Sequence, residues 1–329
     1  MSEPVFRLAR PEEKNLVIDF VNEHFDWKLP LINLPEYFRF YYNYTNELQF
    51  ALAFVDDELS AVAGYIRACK GPEPDIWVSV WVAKKGQNGI GLELMSALPQ
   101  LTGARVVACN NIRPKTMAFY RFLGWHAERM GHFYRLSGQE SYQLAKIPDP
   151  TVLPVSGDLD LTLVDGPLAL AALGMPDSPQ TPRKDLWYMG RRYFTFPHLA
   201  YQVYAVEENG TLLGYLVCRV VDSGTGKVLR IVDFVGDTAL LPRLGRAIDE
   251  LLHKAETEYA ELYCAGIPAE TLAAAGFSER KEDSDNILPN YLTPPLFENT
   301  EYYYFTNQPE NFVMFKADGD QDRPNIPIR

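Results

Sequence analysis

The stretch WVAKKGQNGIGLELMSAL, residues 81–98, passes from an apolar, strand-like run through a glycine-containing loop into a helical pattern. Ile90, Leu94 and Leu98 recur at the spacing of one helix face. Gly89 and Gly91 open that helix, whose N-terminal amides carry a partial positive charge. The loop is therefore a candidate cradle for an anion, with a plain strand-to-helix turn as the alternative. It lacks the Gly-Lys-Ser/Thr of a P-loop and the spacing of a dinucleotide fingerprint.

Length and composition narrow the class of protein. The chain of 329 residues exceeds one typical domain, and its hydrophobic content of 47% is enough for two cores. The net charge of −12 argues against nonspecific nucleic-acid binding. No apolar run is long enough to span a membrane, the N-terminus lacks a secretory apolar region, and the separated cysteines and histidines predict neither disulfides nor a metal site. We expect a cytoplasmic two-domain protein without metal, membrane or nucleic-acid partners.

The two halves of the chain resemble each other. Each contains two alternating runs joined by a turn, and Gly64-Tyr65-Ile66 in the first half corresponds to Gly214-Tyr215-Leu216 in the second. Further on, RVVAC (105–109) corresponds to ELYCA (261–265), each of which has the pattern of a buried strand. Because these matches occur in the same order along the chain, we predict an internal duplication.

The order of patterns in each half is strand, helices, β-meander, helix, buried strand, helix and closing strands. This order predicts an α/β (α+β) fold of two tandem domains, each with a mixed, mostly antiparallel twisted sheet flanked by helices. Prolines, glycines and serines that break periodicity predict a linker at residues 141–158. The domains are accordingly predicted at 1–140 and 159–317. The acidic, proline-containing end, 318–329, is predicted to leave the compact body.

Residues 86–91 and the later segment NNIRPKTMAFYRFLGW (110–125) resemble the GNAT superfamily of acyl-CoA-dependent N-acyltransferases. In that family the loop reads Q/R-x-x-G-x-G/A, and its amides bind the pyrophosphate of coenzyme A. Both glycines match here, whereas Gly86 replaces the usual Gln or Arg. The resemblance implies that the acyl-CoA contacts come from these residues: Val80, Val82, Gln87, Asn88, Gly89, Ile90, Gly91, Asn110 and Asn111.

The second half departs from the family pattern at the corresponding loop. DTALLPRLGR (237–246) lacks the glycine pair, and Pro242 stands where a backbone amide would be needed. We therefore expect one coenzyme A site, in the first half. The second, degenerate domain is expected to contribute to acceptor binding.

Acyl transfer from a thioester to an amine needs a base for the amine and an acid for the leaving thiolate. The resemblance implies that Tyr120 is the proton donor; packing on the core is its alternative role. Asp75 stands at the start of the strand-like run IWVSVWV, where some family members carry a catalytic glutamate, and it is the candidate base. A structural loop acid, or deprotonation through water, is the alternative for this position.

The acceptor site is indicated less directly. LPEYFRFYYNYTNE (34–47) is dense in aromatic residues, among them Tyr41, which either line a pocket or form a core between the domains. Arg192 is a candidate for binding an anionic acceptor, with surface solvation as its alternative. If the end of the chain folds back, Arg323 could pair with a diphosphate and Asp320 with an amine or hydroxyl. If it does not fold back, this segment is solvated.

The chain as a whole resembles the tandem GNAT-type enzymes of bacterial surface-polysaccharide biosynthesis, and NFVMFKADGDQDRPN (311–325) carries this likeness. The resemblance implies transfer of an acetyl or hydroxyacyl group, such as 3-hydroxybutyryl, from coenzyme A to a nucleotide-linked (for example dTDP-linked) amino sugar of O-antigen or lipopolysaccharide biosynthesis. Two alternatives stay open. One is a non-catalytic acyl-CoA-binding module. The other is a transferase for peptides or polyamines, because the negative net charge of the chain would attract cationic acceptors.

Overall fold

Helices and strands follow one another in two similar series. The computed structural model describes residues 3–86, 89–324 and 326, so the predicted coenzyme contacts Gln87 and Asn88 lie outside the described residues. The helices are α1 (Lys14–His24), α2 (Pro30–Asn33), α3 (Pro35–Tyr42), α4 (Ile90–Thr102), α5 (Met117–Phe122), α6 (Gly166–Leu173), α7 (Leu186–Phe194), α8 (Gly245–Lys254) and α9 (Ala269–Ala274), with 3₁₀ helices at Pro11–Glu13, Pro114–Thr116 and Thr238–Leu244. Across the described ranges, no helix combines the length and apolar character needed to cross a membrane.

The strands form two mixed sheets. In chain order they are β1 (Val5–Leu8), β2 (Phe50–Val55), β3 (Glu58–Arg67), β4 (Ile76–Ala83), β5 (Val107–Asn110), β6 (His126–Arg129), β7 (Gly131–Leu136), β8 (Asp160–Leu163), β9 (Gln202–Glu208), β10 (Thr211–Asp222), β11 (Lys227–Gly236), β12 (Tyr259–Ala265), β13 (Ser278–Glu279), β14 (Tyr303–Thr306) and β15 (Met314–Phe315). The first sheet has the order β1-β2-β3-β4-β5-β14-β6, and the second has the order β8-β9-β10-β11-β12-β7-β13. The β4–β5 and β11–β12 pairs are parallel, and the other neighbours in these two orders are antiparallel. The predicted fold class is confirmed.

Left-handed turn residues close the central hairpin of each sheet. Asp56 and Asp57, with φ of 51° and 61°, join β2 to β3. Asn209 and Gly210, with φ of 52° and 78°, join β9 to β10. Two consecutive residues with positive φ give a turn whose twist matches that of the strands it connects. The same strand order and the same turn conformation in both sheets are what the predicted duplication requires.

The two sheets exchange a strand. β14, from near the end of the chain, lies between β5 and β6 of the first sheet, where Phe305 is opposite Cys109 and Ala127. β7, from the first half, lies between β12 and β13 of the second sheet, where Phe133 is opposite Leu262. Each half therefore supplies an inner strand to the other sheet. Both sheets contain residues from both of the predicted domain ranges.

One hydrophobic cluster joins the halves. It includes aromatic side chains from α3 in the first half and from α7 and the residues after it in the second: Tyr37, Phe38, Tyr41, Tyr42, Tyr188, Tyr193, Phe196 and Tyr201. The aromatic run at residues 34–47 therefore contributes to the core between the halves. On the opposite face of the first sheet, α4 packs Leu94 and Leu98 against Val78 in a separate cluster.

The strand exchange predicts that the two halves stay together after the chain is cut. A protease site inserted after Pro150, where Pro150 and Thr151 are both exposed, would leave β7 on one piece and β14 on the other. Separation would expose backbone groups of two inner strands, so the cut pieces are expected to co-elute in native size-exclusion chromatography and to part only in denaturant. Separation of the pieces in native buffer would contradict this topology; uncut protein is the control.

Candidate functional site

The candidate site begins where β4 and β5 separate. The two parallel strands pair only at Ile76↔Val107 and Trp77↔Ala108. Beyond Trp77, β4 continues to Ala83 and pairs with β3 alone among the described residues. We call the space between the diverging strands the first opening. Backbone groups of β4 that face it need another partner, because buried amides and carbonyls are rarely left unpaired.

Two predicted coenzyme contacts, Val80 and Val82, lie on this diverging part of β4. Their side chains are 3% and 6% exposed and belong to the cluster between the halves. Packing of these side chains fixes the position of the strand, so its free edge is held toward the first opening. The predicted contact of their amides with a thioester carbonyl stays a prediction.

The loop after β4 brings a helix N-terminus to the first opening. Gly89 is the N-cap of α4 and has a φ of 96°, which glycine adopts without strain. Gly91 has a packing role, since a Cβ there would lie 3.0 Å from the Cβ of Ala83 and 3.2 Å from Nε1 of Trp81. Among the described residues no side chain caps the N-terminus of α4, so the amide of Ile90 can meet a ligand. Their contact with coenzyme A stays a prediction.

The counterpart of the first opening in the second sheet is filled by the chain itself. β11 and β12 pair in parallel as far as Arg230↔Glu261 and then separate. β15 pairs with β12 in the gap, and the amide of Ala317 donates to the carbonyl of Val232 at 3.1 Å. The groups exposed by the separation are thus satisfied internally. In place of a glycine loop, a 3₁₀ helix containing Pro242 follows β11.

Beyond β15 the chain continues as a buried segment, residues 316–323, which we call the C-terminal strap. Asp318, Asp320 and Asp322 are 0%, 5% and 5% exposed. The prediction that this end of the chain leaves the compact body is therefore wrong for the described residues. Burial is possible because the charges are paired: Asp322 accepts hydrogen bonds from Arg219 at 2.7 and 2.9 Å.

The strap is fastened to the end of β5. The side-chain amide of Asn110 donates to the carbonyls of Phe315 and Lys316, both at 3.3 Å. The side-chain amide of Asn111 donates to Oε1 of Gln321 at 3.2 Å. Both asparagines therefore contact the strap. The oxygen Oδ1 of Asn110 is buried without a partner among the described residues, and a contact with pantetheine stays a prediction.

Arg192 also forms hydrogen bonds with the strap. Its side chain is 1% exposed and donates to the carbonyls of Ala317 and Gln321 at 3.1 and 2.9 Å and to the Tyr201 hydroxyl at 3.0 Å. Its guanidinium also lies 4.5 Å from the ring centre of Phe196. The alternative of surface solvation is therefore wrong, and most of the Arg192 donors hold the end of the chain. Direct contact of Arg192 with an acceptor stays a prediction.

The carboxylate of Asp75 is likewise hydrogen-bonded within the fold. It is 1% exposed and accepts hydrogen bonds from Arg105 at 2.9 Å and from the amide of Arg183 at 2.6 Å. It precedes β4 at the end opposite the glycine loop, roughly 25 Å from Ala83 at the usual rise per residue of a strand. The geometry therefore does not support Asp75 as the base and fits the alternative of a structural acid.

Tyr120 is positioned by the exchanged strand. Its ring stacks on Phe305 of β14 with 4.0 Å between centroids, and the side chain is 4% exposed. Burial raises the pKa of the Tyr120 hydroxyl above its ordinary range, so the group is protonated at neutral pH. A proton donor requires this state, and core packing also explains the burial. The proton-donor role stays a prediction.

The other predicted acceptor residues meet at the strap. Nη2 of Arg323 lies 3.7 Å from Oδ2 of Asp320. Tyr41 is fully buried, and its hydroxyl has no hydrogen-bond partner among the described residues. Burial raises the pKa of Tyr41, and the charged groups acting on it include Arg192, Arg323 and Asp320. Residues that are far apart in the sequence are thus brought together.

A cavity of about 310 Å³ opens beside the strap. Among the described residues, its lining includes the basic side chains Arg219, Arg230, Lys316 and Arg323 and one carboxylate, that of Asp322. In a chain with a net charge of −12, this concentration of cations suits an anionic ligand. The wall also contains these polar and aromatic residues: Asn111, Asn290, Tyr291, Tyr302 and Gln321.

Lys316 lines the cavity but is not among the site residues predicted from the sequence. Its Nζ donates to Oδ1 of Asn290, and no carboxylate pairs with it among the described residues. Burial, followed by the neighbouring Arg230, lowers the pKa of Lys316 well below its ordinary value. A bound anion would supply the missing counter-charge. The available signal was a single lysine inside the apolar run Val313–Ala317.

A buried ion network supports the cavity. Glu261, inside β12 and 0% exposed, accepts hydrogen bonds from Arg230 at 2.6 Å and from His132 Nε2 at 2.9 Å. Arg280 donates to Nδ1 of His132 at 3.0 Å, which leaves the imidazole proton on Nε2. Burial alone would raise the pKa of Glu261, but Arg230 and His132 outweigh it and lower the pKa to about 2.

Comparison with known proteins identifies the fold. A GCN5-related N-acetyltransferase from Anabaena variabilis superposes with a TM-score of 0.55 and 13% identity, covering 92% of this chain and 72% of that one. A conserved protein of unknown function from Enterococcus faecalis V583, a probable N-acyltransferase, superposes with a TM-score of 0.54 and 13% sequence identity. That match covers 93% of this chain and 72% of the other. No protein-family model and no curated protein matches the sequence. The chain therefore shares the fold of these two proteins, with two similar sheets.

The ion network predicts a specific dependence of stability on pH. Because the folded-state pKa of Glu261, about 2, lies below its ordinary value of 4.5, its stabilisation is present above pH 4.5 and is lost as pH falls toward 2. Glu261→Gln should lower the unfolding free energy at pH 7 by ~3–5 kcal/mol, because Arg230 loses its buried partner. The variant should also lose less stability on acidification than the wild type.

Denaturant unfolding at pH 7 and pH 3 measures both effects. The exposed acid Glu256, whose side chain is 83% accessible, provides a matched control: Glu256→Gln should change the unfolding free energy by less than about 0.5 kcal/mol. Equal acid dependence in the wild type and Glu261→Gln would contradict the assignment.

Proposed function

We propose that this protein is an N-acyltransferase that moves a short acyl group from coenzyme A to the amine of an anionic small molecule. The observation that supports it best is the difference between the two sheets. The first opening has no strand inserted among the described residues, whereas residues 314–317 fill its counterpart. The glycine loop stands beside the first opening and not beside the second.

The residues around the first opening fit an acyl-CoA. The free edge of β4 at Val80 and Val82 offers backbone groups to an amide-containing arm, and the N-terminus of α4 at Gly89 offers unpaired amides to a diphosphate. Lys85, with 89% of its side chain accessible, adds a cation next to this helix. When bound, acyl-CoA supplies the activated acyl group. Tyr120 would hold the proton that the departing thiolate requires.

The cation-lined cavity favours an acceptor that carries negative charge. Arg219, Arg230, Arg323 and Lys316 line it together with one carboxylate among the described lining residues, so the cavity offers several hydrogen-bond donors to an anion. Arginines bind phosphate oxygens through paired donors, and Tyr291, 45% exposed, offers an aromatic face to a sugar or base. A nucleotide-linked amino sugar, the substrate class that the sequence resemblance implies, combines these features. We propose this class, with an acetyl or 3-hydroxybutyryl group as the acyl unit.

A second candidate function is an acyl-CoA-binding module without turnover. The observation in its favour is the position of Asp75, whose carboxylate is paired with Arg105 at the end of β4 away from the glycine loop and so gives no support to the predicted base role. In this case coenzyme A would bind, and no amine would be acylated.

Release of free coenzyme A distinguishes the two functions. The protein is incubated with acetyl-CoA or 3-hydroxybutyryl-CoA and a thiol-reactive dye, together with a dTDP-linked amino sugar, the corresponding free amino sugar, or spermidine. We expect release with the nucleotide-linked sugar to exceed release with the other two amines. Equal rates with spermidine would contradict the anionic acceptor. Binding of coenzyme A by calorimetry without release would select the binding module.

Tyr120→Phe tests the proton donor. Removal of the hydroxyl should lower kcat by about 10²- to 10⁴-fold, the usual contribution of a general acid, and leave coenzyme A affinity unchanged. Tyr65→Phe removes a hydroxyl from a tyrosine of the same hydrophobic cluster and serves as the control. An unchanged kcat in Tyr120→Phe would contradict the assigned role.

A further inference from the structure

The C-terminal strap crosses the face of the first opening. A Cβ added at Gly319 would lie 3.3 Å from the Cβ of Trp77, the last residue of β4 that pairs with β5. Asn110 and Asn111, at the end of β5, hydrogen-bond to the chain on either side of this contact. Asp320 directly follows Gly319. Its backbone is therefore held where the two strands separate.

The neighbouring carboxylates of the strap are engaged in the fold. Asp318 pairs with Nζ of Lys184 at 2.7 Å and accepts the amide of Phe315 at 2.9 Å. Asp322 is bound through both oxygens by Arg219 and also accepts from Tyr201 at 3.0 Å. These bonds hold the strap in place. Each of these two carboxylates is therefore paired with a cation of the fold, Lys184 or Arg219.

Asp320 differs from both in its unused acceptor capacity. Its Oδ1 accepts one hydrogen bond, from Nε2 of Gln321 at 2.9 Å, and its nearest cation is Nη2 of Arg323 at 3.7 Å. No other donor reaches the carboxylate within the ranges that the structure describes. A carboxylate can accept about four hydrogen bonds, and Asp320 is only 5% exposed. An acceptor this buried and this unsatisfied calls for a further donor.

Two more polar atoms next to Asp320 lack partners. The hydroxyl of Tyr41 and Nε of Arg323 are buried and form no hydrogen bond with the described residues. Both side chains interact electrostatically with Asp320. Arg323 also lines the cation-rich cavity, so this one side chain borders the cavity and lies 3.7 Å from the Asp320 carboxylate. An acceptor whose anionic group lies in the cavity could thus present its amine to Asp320.

We propose that Asp320 is the general base of the acyl transfer, an assignment that rests on the proposed function. An N–H bond of the acceptor ammonium breaks, and the proton passes to a carboxylate oxygen of Asp320. The freed lone pair forms the N–C bond at the thioester carbonyl. The tetrahedral intermediate then collapses: the C–S bond breaks, the thiolate takes a proton from Tyr120, and the second nitrogen proton restores Tyr120 through solvent. One proton is released to solvent for each amide formed.

The groups that face Asp320 come from three elements. They are Arg323 of the strap, Tyr41 and Tyr42 of α3, and Cys109 of β5. Burial raises the pKa of the two phenols and of the thiol, so these three groups do not act as bases at neutral pH. The carboxylate of Asp320 is the group among them that can accept a proton from an ammonium.

The test compares two amines in the full-length enzyme. The preferred acceptor of the panel carries an ammonium at neutral pH, whereas hydroxylamine is already uncharged and needs no base. Asp320→Asn should lower kcat for the ammonium acceptor at neutral pH by about 10²- to 10⁴-fold and move the rise of rate with pH to the alkaline range, where the acceptor ammonium loses its proton unaided. The rate with hydroxylamine should stay near that of the wild type. Asp320→Glu should restore part of the activity.

Asp318→Asn is the structural control. Loss of its pairing with Lys184 should lower the rates with both amines by the same factor and preserve the shape of the pH profile. The same behaviour in Asp320→Asn, or no effect at all, would overturn the assignment while leaving the proposed function intact. Absence of coenzyme A release by the wild type with every amine would overturn both.

Discussion

The separation of two parallel strands is the constraint on which the rest of this structure depends. Once β4 leaves β5 beyond Trp77, backbone donors and acceptors lose their ladder partners, and each must be satisfied in another way. The second sheet meets the same requirement with the chain's own residues 314–317. In the first sheet no strand is inserted at this place among the described residues. Two sheets with one strand order therefore differ in what can enter them.

The same segment that closes the second sheet completes the site at the first. After β15 the strap passes from Val232 of the second half to Trp77 and Asn110 of the first. Its burial depends on ion pairs, since an aspartate removed from water needs a cation or several donors. Arg219 and Lys184 provide them for its neighbours, and Asp320 is left with a single hydrogen bond from the described residues. The proposed reaction would therefore draw residues from both halves.

Local patterns predicted the local part of this structure. Helical spacing after Gly89, the alternating hairpins and the repeated order of elements depend on neighbours in the chain, and the two mixed sheets follow from them. The strand exchange depends on pairing between distant segments, such as Phe305 with Cys109, for which β7 and β14 carry no distinguishing pattern. Composition suggested a solvated tail because the cation that binds Asp322, Arg219, is 103 positions away. The pairing of Asp75 with Arg105 is hidden in the sequence for the same reason, because the two residues are 30 positions apart.

A crystal structure with bound coenzyme A tests most directly whether the ligand enters between β4 and β5 and whether residues 314–317 close the corresponding place in the second sheet. One coenzyme per chain is expected, with its pantetheine arm between β4 and β5, its diphosphate at the N-terminus of α4, and residues 314–317 still inserted beside β12. Coenzyme A between β11 and β12, or absence of binding at the first opening, would contradict the central claim.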